Sequence, residues 1–201
     1  MAERIKEWIG AHQFVTGGSI VVLFLCGYLL SVVLRQPDDA WLTVSFINEY
    51  NNVGRGSVLY EDFMRLNAGE GRRIVFDSGY FFDLSDENDF TNRYYQKLVA
   101  YLEAGTTDVL ICEEGNLRGI ARGGRVLDLS DERVAEWLSA YQERLYYYDT
   151  EEDGRIPVGI SLSGSPYSEA LGYEGKVYLA LNSRAKHLDA VKVFLDFLFE
   201  R

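Results

Sequence analysis

The residues of this chain that could do chemistry are few, and most of them fail on spacing. Asp149, Glu151 and Asp153, followed by Gly154 and Ile156, imitate the first eight positions of a calcium loop. The twelfth position is Ile160, where a bidentate glutamate is required, and Pro157 stands at the ninth. An acidic surface turn is the better reading. Gly159-Ile160-Ser161-Leu162-Ser163 approaches a nucleophile elbow but lacks its last glycine. Its base would have to be His187, since the other histidine is His12 near the start. Two histidines and two cysteines, Cys26 and Cys112, offer little for a zinc site or a disulfide framework, so neither a metal nor a cofactor is expected. The carboxylate pairs Glu113-Glu114 and Glu151-Glu152 are adjacent in sequence, and neighbours on a strand point to opposite faces. These patterns give no support to an enzyme.

Aromatic residues are the stronger signal. Fourteen tyrosines include Tyr94-Tyr95 and Tyr146-Tyr147-Tyr148, and Tyr80 opens the run Tyr80-Phe81-Phe82. A tyrosine ring has an apolar face and a polar tip, which suits polar, ring-shaped ligands such as sugars. Ordinary half-buried packing is the competing use for any one of them.

The elements that must position these groups follow from periodicity and composition. The 201 residues carry a net charge of −11, which repels phosphate backbones and disfavours nucleic-acid binding. Residues 15–34 contain no charge, and 20 helical residues at about 1.5 Å each span roughly 30 Å, the thickness of a bilayer's hydrocarbon core. This is the expected single transmembrane helix. A cleaved signal peptide fits less well, because no small-residue cleavage site follows the apolar run. Arg4 and Lys6 before the span, against Arg35 with Asp38 and Asp39 after it, favour a cytoplasmic N-terminus. The expected organisation is therefore a short cytoplasmic stretch (1–14), the span (15–34), a linker (35–40) and an extracellular domain (41–201). From residue 36 onward there are 17 Lys+Arg against 29 Asp+Glu.

Within that domain, strands are expected at 42–47, 72–76, 107–112, 155–162 and 176–182. Helices are expected around 59–66, from a Thr91 cap to Gly105, from a Ser130 cap through Leu145, and at the end through Leu198. Asp77-Ser78-Gly79 reads as a turn. The alternation of strands and helices predicts an α/β layered domain.

The helix 92–104, ending in Ala104-Gly105 and running into Thr107-Asp108-Val109-Leu110-Ile111-Cys112, has a familiar look. So does Leu117-Arg118-Gly119-Ile120-Ala121 leading to Val126-Leu127-Asp128-Leu129-Ser130. The ending, Val177-Tyr178-Leu179-Ala180-Leu181-Asn182 with the helix around Val191 and Phe194, completes the pattern. Together these segments resemble the extracellular solute-binding proteins of ABC importers, notably the sugar-binding type. The resemblance implies one lobe of the periplasmic-binding-protein kind, with a mixed, mostly parallel sheet and flanking helices. It also implies a small polar ligand, a carbohydrate in the first instance, and importer subunits as partners at the membrane. Two departures stand out: the uncleaved span, and a domain of about 160 residues where that family has two lobes with the ligand between them.

In such folds ligands sit outside the carboxyl ends of strands. Carried onto this chain, the ligand-binding candidates are Asn48, Asp77, Tyr80, Glu113, Glu114, Ser163 and Ser165. A rival expectation is a degenerate lobe that has lost its ligand and serves as an interaction or assembly module on the membrane. An extracellular hydrolase comes third.

Overall fold

The computed structural model describes residues 21–28, 40–67, 71–85, 91–150 and 154–200. The chain divides into two compact units, Met1–Asp39 and Ala40–Arg201. In the first, residues 21–28 are helical, and Val21, Val22, Leu23, Phe24, Leu25 and Tyr28 are each more than half exposed. The rest of the expected span, the short N-terminal stretch and nearly all of the linker lie outside the described residues. Among the described residues, no helix is long and apolar enough to cross a membrane.

The second unit is a mixed α/β domain. Its strands are β1 (Leu42–Ile47), β2 (Ile74–Tyr80), β3 (Val109–Glu113), β4 (Leu145–Thr150), β5 (Gly154–Ser161) and β6 (Val177–Leu181). Its helices are α1 (Val58–Asn67), α2 (Arg93–Ala104), α3 (Glu114–Arg122), α4 (Glu132–Leu138) and α5 (Leu188–Leu198). The six strands form one sheet in the order β2-β1-β3-β6-β5-β4. The sheet is mixed, as expected, but not mostly parallel. β1 runs parallel to β2 and β3, whereas the β3–β6, β6–β5 and β5–β4 pairings are antiparallel. Where α1 and α2 carry the chain across the sheet, the next strand comes back parallel. Past residue 144 no α-helix joins the strands, so they reverse directly.

Both faces of the sheet are covered. On one, Leu42, Val44 and Phe46 of β1 pack with Phe63 of α1, Val134 of α4 and Phe194 of α5. On the other, Leu110 and Cys112 of β3 and Ala180 of β6 pack with Leu98 of α2 and Ile120 of α3. Because β6 lies inside the sheet, all five of its residues are buried.

Four local expectations are corrected. Asp77, Ser78 and Gly79 continue β2 instead of turning, since Asp77 pairs with Ser45 in the ladder with β1. Helix α2 is capped by Asn92, whose side chain accepts from the Tyr94 N–H, and α4 by Asp131, which accepts from Arg133. The long helix expected through Leu145 ends at Leu138 and tightens into a 3-10 segment, Ser139–Arg144. Leu145 then begins a strand that carries all three tyrosines of the 146–148 run.

Candidate functional site

The chain passes from β1 to β2 on one side, then to β3 on the other, so strand order reverses at β1. Ligand sites of open α/β sheets lie at the carboxyl ends beside such a reversal. Here that edge is formed by Ile47, Tyr80 and Glu113 and the residues that follow them.

Most of the seven sequence candidates at this edge are used up by the fold itself. Asn48 has a left-handed backbone (φ 58°), and its side chain pairs with Phe82 in both directions. Nδ2 donates to the Phe82 carbonyl at 2.8 Å, and Oδ1 accepts from the Phe82 N–H at 3.0 Å. Asp77 accepts from the Gly79 N–H and from the Tyr80 hydroxyl at 2.9 Å, with Lys97 Nζ 3.7 Å away. Tyr80 is 1% exposed, and burial, reinforced by the Asp77 carboxylate, pushes its hydroxyl well above the ordinary range. Ser165 is buried and donates to the Leu198 carbonyl, which fastens the loop after β5 to the end of α5. Ser163 is exposed; its carbonyl accepts from Arg144, and its hydroxyl receives a bond from Ser161. Glu114 accepts from the Tyr146 hydroxyl at 3.0 Å. Burial comes first, and the Glu114 bond second, in lifting that hydroxyl to about 12. Glu113, half-buried at the end of β3, makes no capping bond to α3.

The structure places at this edge two residues that the sequence did not single out, Tyr173 and Glu49. Tyr173, from the segment between β5 and β6, donates its hydroxyl to the Ile47 carbonyl at 2.9 Å and lies 3.2 Å from that of Ile111. It therefore fills the gap between the ends of β1 and β3. Burial raises its hydroxyl far above the normal range, with Cys112, Glu49 and Glu113 adding to the effect. Glu49, 3% exposed, accepts from the Asn51 N–H through Oε1, while Oε2 is buried without a hydrogen-bond partner. Burial holds this carboxyl above its ordinary value, against the pull of the Asn51 and Tyr50 N–H groups. Neither residue sits in a recognisable motif. Only the reversal of strand order, a tertiary fact, marks them.

Beside this crevice lies an aromatic row. Tyr50 is 83% exposed, and its ring centroid is 5.1 Å from that of Phe81. Phe81 meets Tyr94 edge-to-face at 6.0 Å, and the Arg93 guanidinium lies 4.9 Å over Tyr94. Three asparagines set the row in place. Asn48 and Asn116 hold the chain at Phe82 and Leu84, while Asn92 reaches the Phe81 carbonyl and starts the helix that carries Tyr94. Phe81 and Tyr94 of the aromatic runs lie in this row, and its exposed member is Tyr50, which belongs to neither run.

The serine-histidine idea fails on geometry. Ser161 pairs with Tyr178 near the carboxyl edge. The His187 ring is bound to Asp108, the residue before β3, at the opposite edge. The five residues of β3 separate them by roughly 15 Å. No group of three or more metal-ligating side chains gathers among the described residues. Part of the acidic turn, residues 151–153, lies outside them. Comparison of the chain with protein-family models, with curated proteins and with solved structures found no match.

Proposed function

We propose that this protein is a membrane-anchored, outward-facing solute-binding-like lobe. It takes a small polar ring ligand, a carbohydrate in the first instance, on the row Tyr50–Phe81–Tyr94 and works beside importer subunits. The observation that carries this reading is Tyr50: a tyrosine 83% exposed, held at the carboxyl edge of the parallel strands and extended by two more rings. Apolar faces stack on sugar rings, while the Tyr50 hydroxyl and the Arg93 guanidinium beside Tyr94 can bond to ring substituents. The uncharged run 15–34 and the exposed apolar side chains of 21–28 support anchoring in lipid.

Thermal melting of the full chain in detergent, against mono- and oligosaccharides, tests the reading. At a hundred times its dissociation constant a ligand adds about 2.7 kcal/mol. Tyr50→Ala should weaken the responding sugar by roughly fivefold, the worth of one aromatic contact of about 1 kcal/mol. A flat response to every sugar refutes it.

One observation favours a second reading, the interaction or assembly module. Tyr173 already fills the gap between β1 and β3, leaving the exposed row as a docking face for a protein at the membrane. A flat sugar panel, together with self-association or partner binding abolished by Tyr50→Ala, would select it.

A further inference from the structure

Residues 172–176, Gly-Tyr-Glu-Gly-Lys, lead into β6 and are exposed except for Tyr173, which turns inward. Gly172 has a φ of +68° and packs so tightly that a Cβ there would run into the Asn51 side chain and reach 3.3 Å from Glu49 Oε1. Gly172 and Gly175 bracket the one residue that grips the sheet. The grip itself is a single hydroxyl proton lying between two strand carbonyls, that of Ile47 at the end of β1 and that of Ile111 within β3. Beside it, Glu49 keeps one carboxyl oxygen bonded to Asn51 and the other buried with no donor.

We propose that residues 172–176 form a flap closed over the ends of β1 and β3 while Glu49 is uncharged, and that ionisation of Glu49 releases it. A carboxylate buried with an unpartnered oxygen bears its full desolvation cost, whereas a neutral carboxyl bears far less. The ionisable groups at this corner are Tyr173 on the flap and, acting on its hydroxyl together with Glu49, Cys112 and Glu113 at the end of β3. All three are acids, so none offers a positive charge. On the flap itself, Glu174 and Lys176 are exposed. Opening the flap admits water to the carboxylate.

The sign follows from burial. The closed flap favours the neutral acid, so its advantage is complete below the ordinary carboxyl value of 4.5 and is lost as pH rises from there to the raised value. Across that window the closed form loses about tenfold in population per pH unit, and above it nothing further changes. This latch belongs to the free protein and stands apart from what the aromatic row binds.

Hydroxyl-radical footprinting of the full chain in detergent, read residue by residue by mass spectrometry, tests it. Tyr167 and Tyr178 serve as internal references. Labelling of Tyr173 in the wild type should rise several-fold between pH 4 and pH 8, and in Glu49→Gln it should stay at the low level at both. Labelling that is flat with pH in the wild type overturns the proposal. So does a pH response that survives in Glu49→Gln but disappears in Glu113→Gln. Tyr173→Phe, which keeps the ring and removes the hydroxyl, should leave the flap open at both pH values. If the ring at position 173 in that variant is as protected as the wild-type tyrosine at pH 4, the proposal is likewise overturned.

Discussion

Replacing Asp108 should cost the domain a large part of its stability. Its side chain is 2% exposed, and its two oxygens collect four donors. Oδ2 accepts from the Thr43 N–H at 3.1 Å, and Oδ1 from the N–H groups of Lys186 at 3.2 Å and His187 at 3.3 Å. The His187 Nδ1 lies 3.2 Å from both oxygens. One carboxylate thus joins the start of β1, the start of β3 and the turn that launches α5. Asp108→Ala strands three backbone N–H groups, each costing about 1–3 kcal/mol where buried. Water reaches the half-exposed Lys186 and His187 side, so the sum falls to about 3–5 kcal/mol. That is a large fraction of a stability of about 5–15 kcal/mol. Asp108→Asn keeps the shape and one oxygen but aims an N–H at a donor, for about 1.5–3 kcal/mol. Urea denaturation of both variants, with an unchanged slope against denaturant, gives the two numbers. A loss below about 1 kcal/mol for Asp108→Ala, no more than one ordinary hydrogen bond, would show that these ends hold without the carboxylate, and the reasoning fails.

Two further outcomes are expected. Gly119 of α3 lies where a Cβ would strike the Leu84 side chain, so Gly119→Ala should cost about 1–3 kcal/mol by overpacking, read by the same urea denaturation. A spectrophotometric titration of the tyrosines should separate their environments: Tyr146 ionises only near about 12, and Tyr80 ionises only as the chain unfolds. Because folding favours the neutral phenol of Tyr146, its contribution is intact below pH 10 and drains away as pH rises from 10 to about 12.

What could be read from the sequence divides along local and non-local lines. The apolar alternation of Leu42, Val44 and Phe46 and the helical stripe of Leu98 and Leu102 put β1 and α2 where they are found, because each pattern is complete within one element. The tyrosines at 146–148 read as ends of other elements. Their strand is declared by its pairing with β5, and the helical stripe before it ran on through Leu145. Asp77-Ser78-Gly79 has turn composition, yet the ladder with β1 overrides it. The candidate site suffered in the same way. Asn48 and Tyr80 do lie at the carboxyl edge as the topology rule requires, but their polar atoms answer Phe82 and Asp77. Glu49 and Tyr50, one and two residues further on, hold the unsatisfied oxygen and the exposed ring. Period-two reasoning stops at the strand end, and a left-handed residue at 48 redirects whatever follows it.

The place of β6 in the sheet has a consequence for how the domain comes into being. The parallel trio β2-β1-β3 and the hairpin β4–β5 touch one another through β6, and β5 meets β6 at only two residue pairs. During synthesis both halves emerge before the piece that joins them. Until residues 177–181 arrive, β3 and β5 each expose an unpaired edge, the kind that recruits foreign strands. Assembly of the sheet therefore waits on a long-range closure, and a chain cut short of residue 177 would carry two sticky edges in place of one closed sheet.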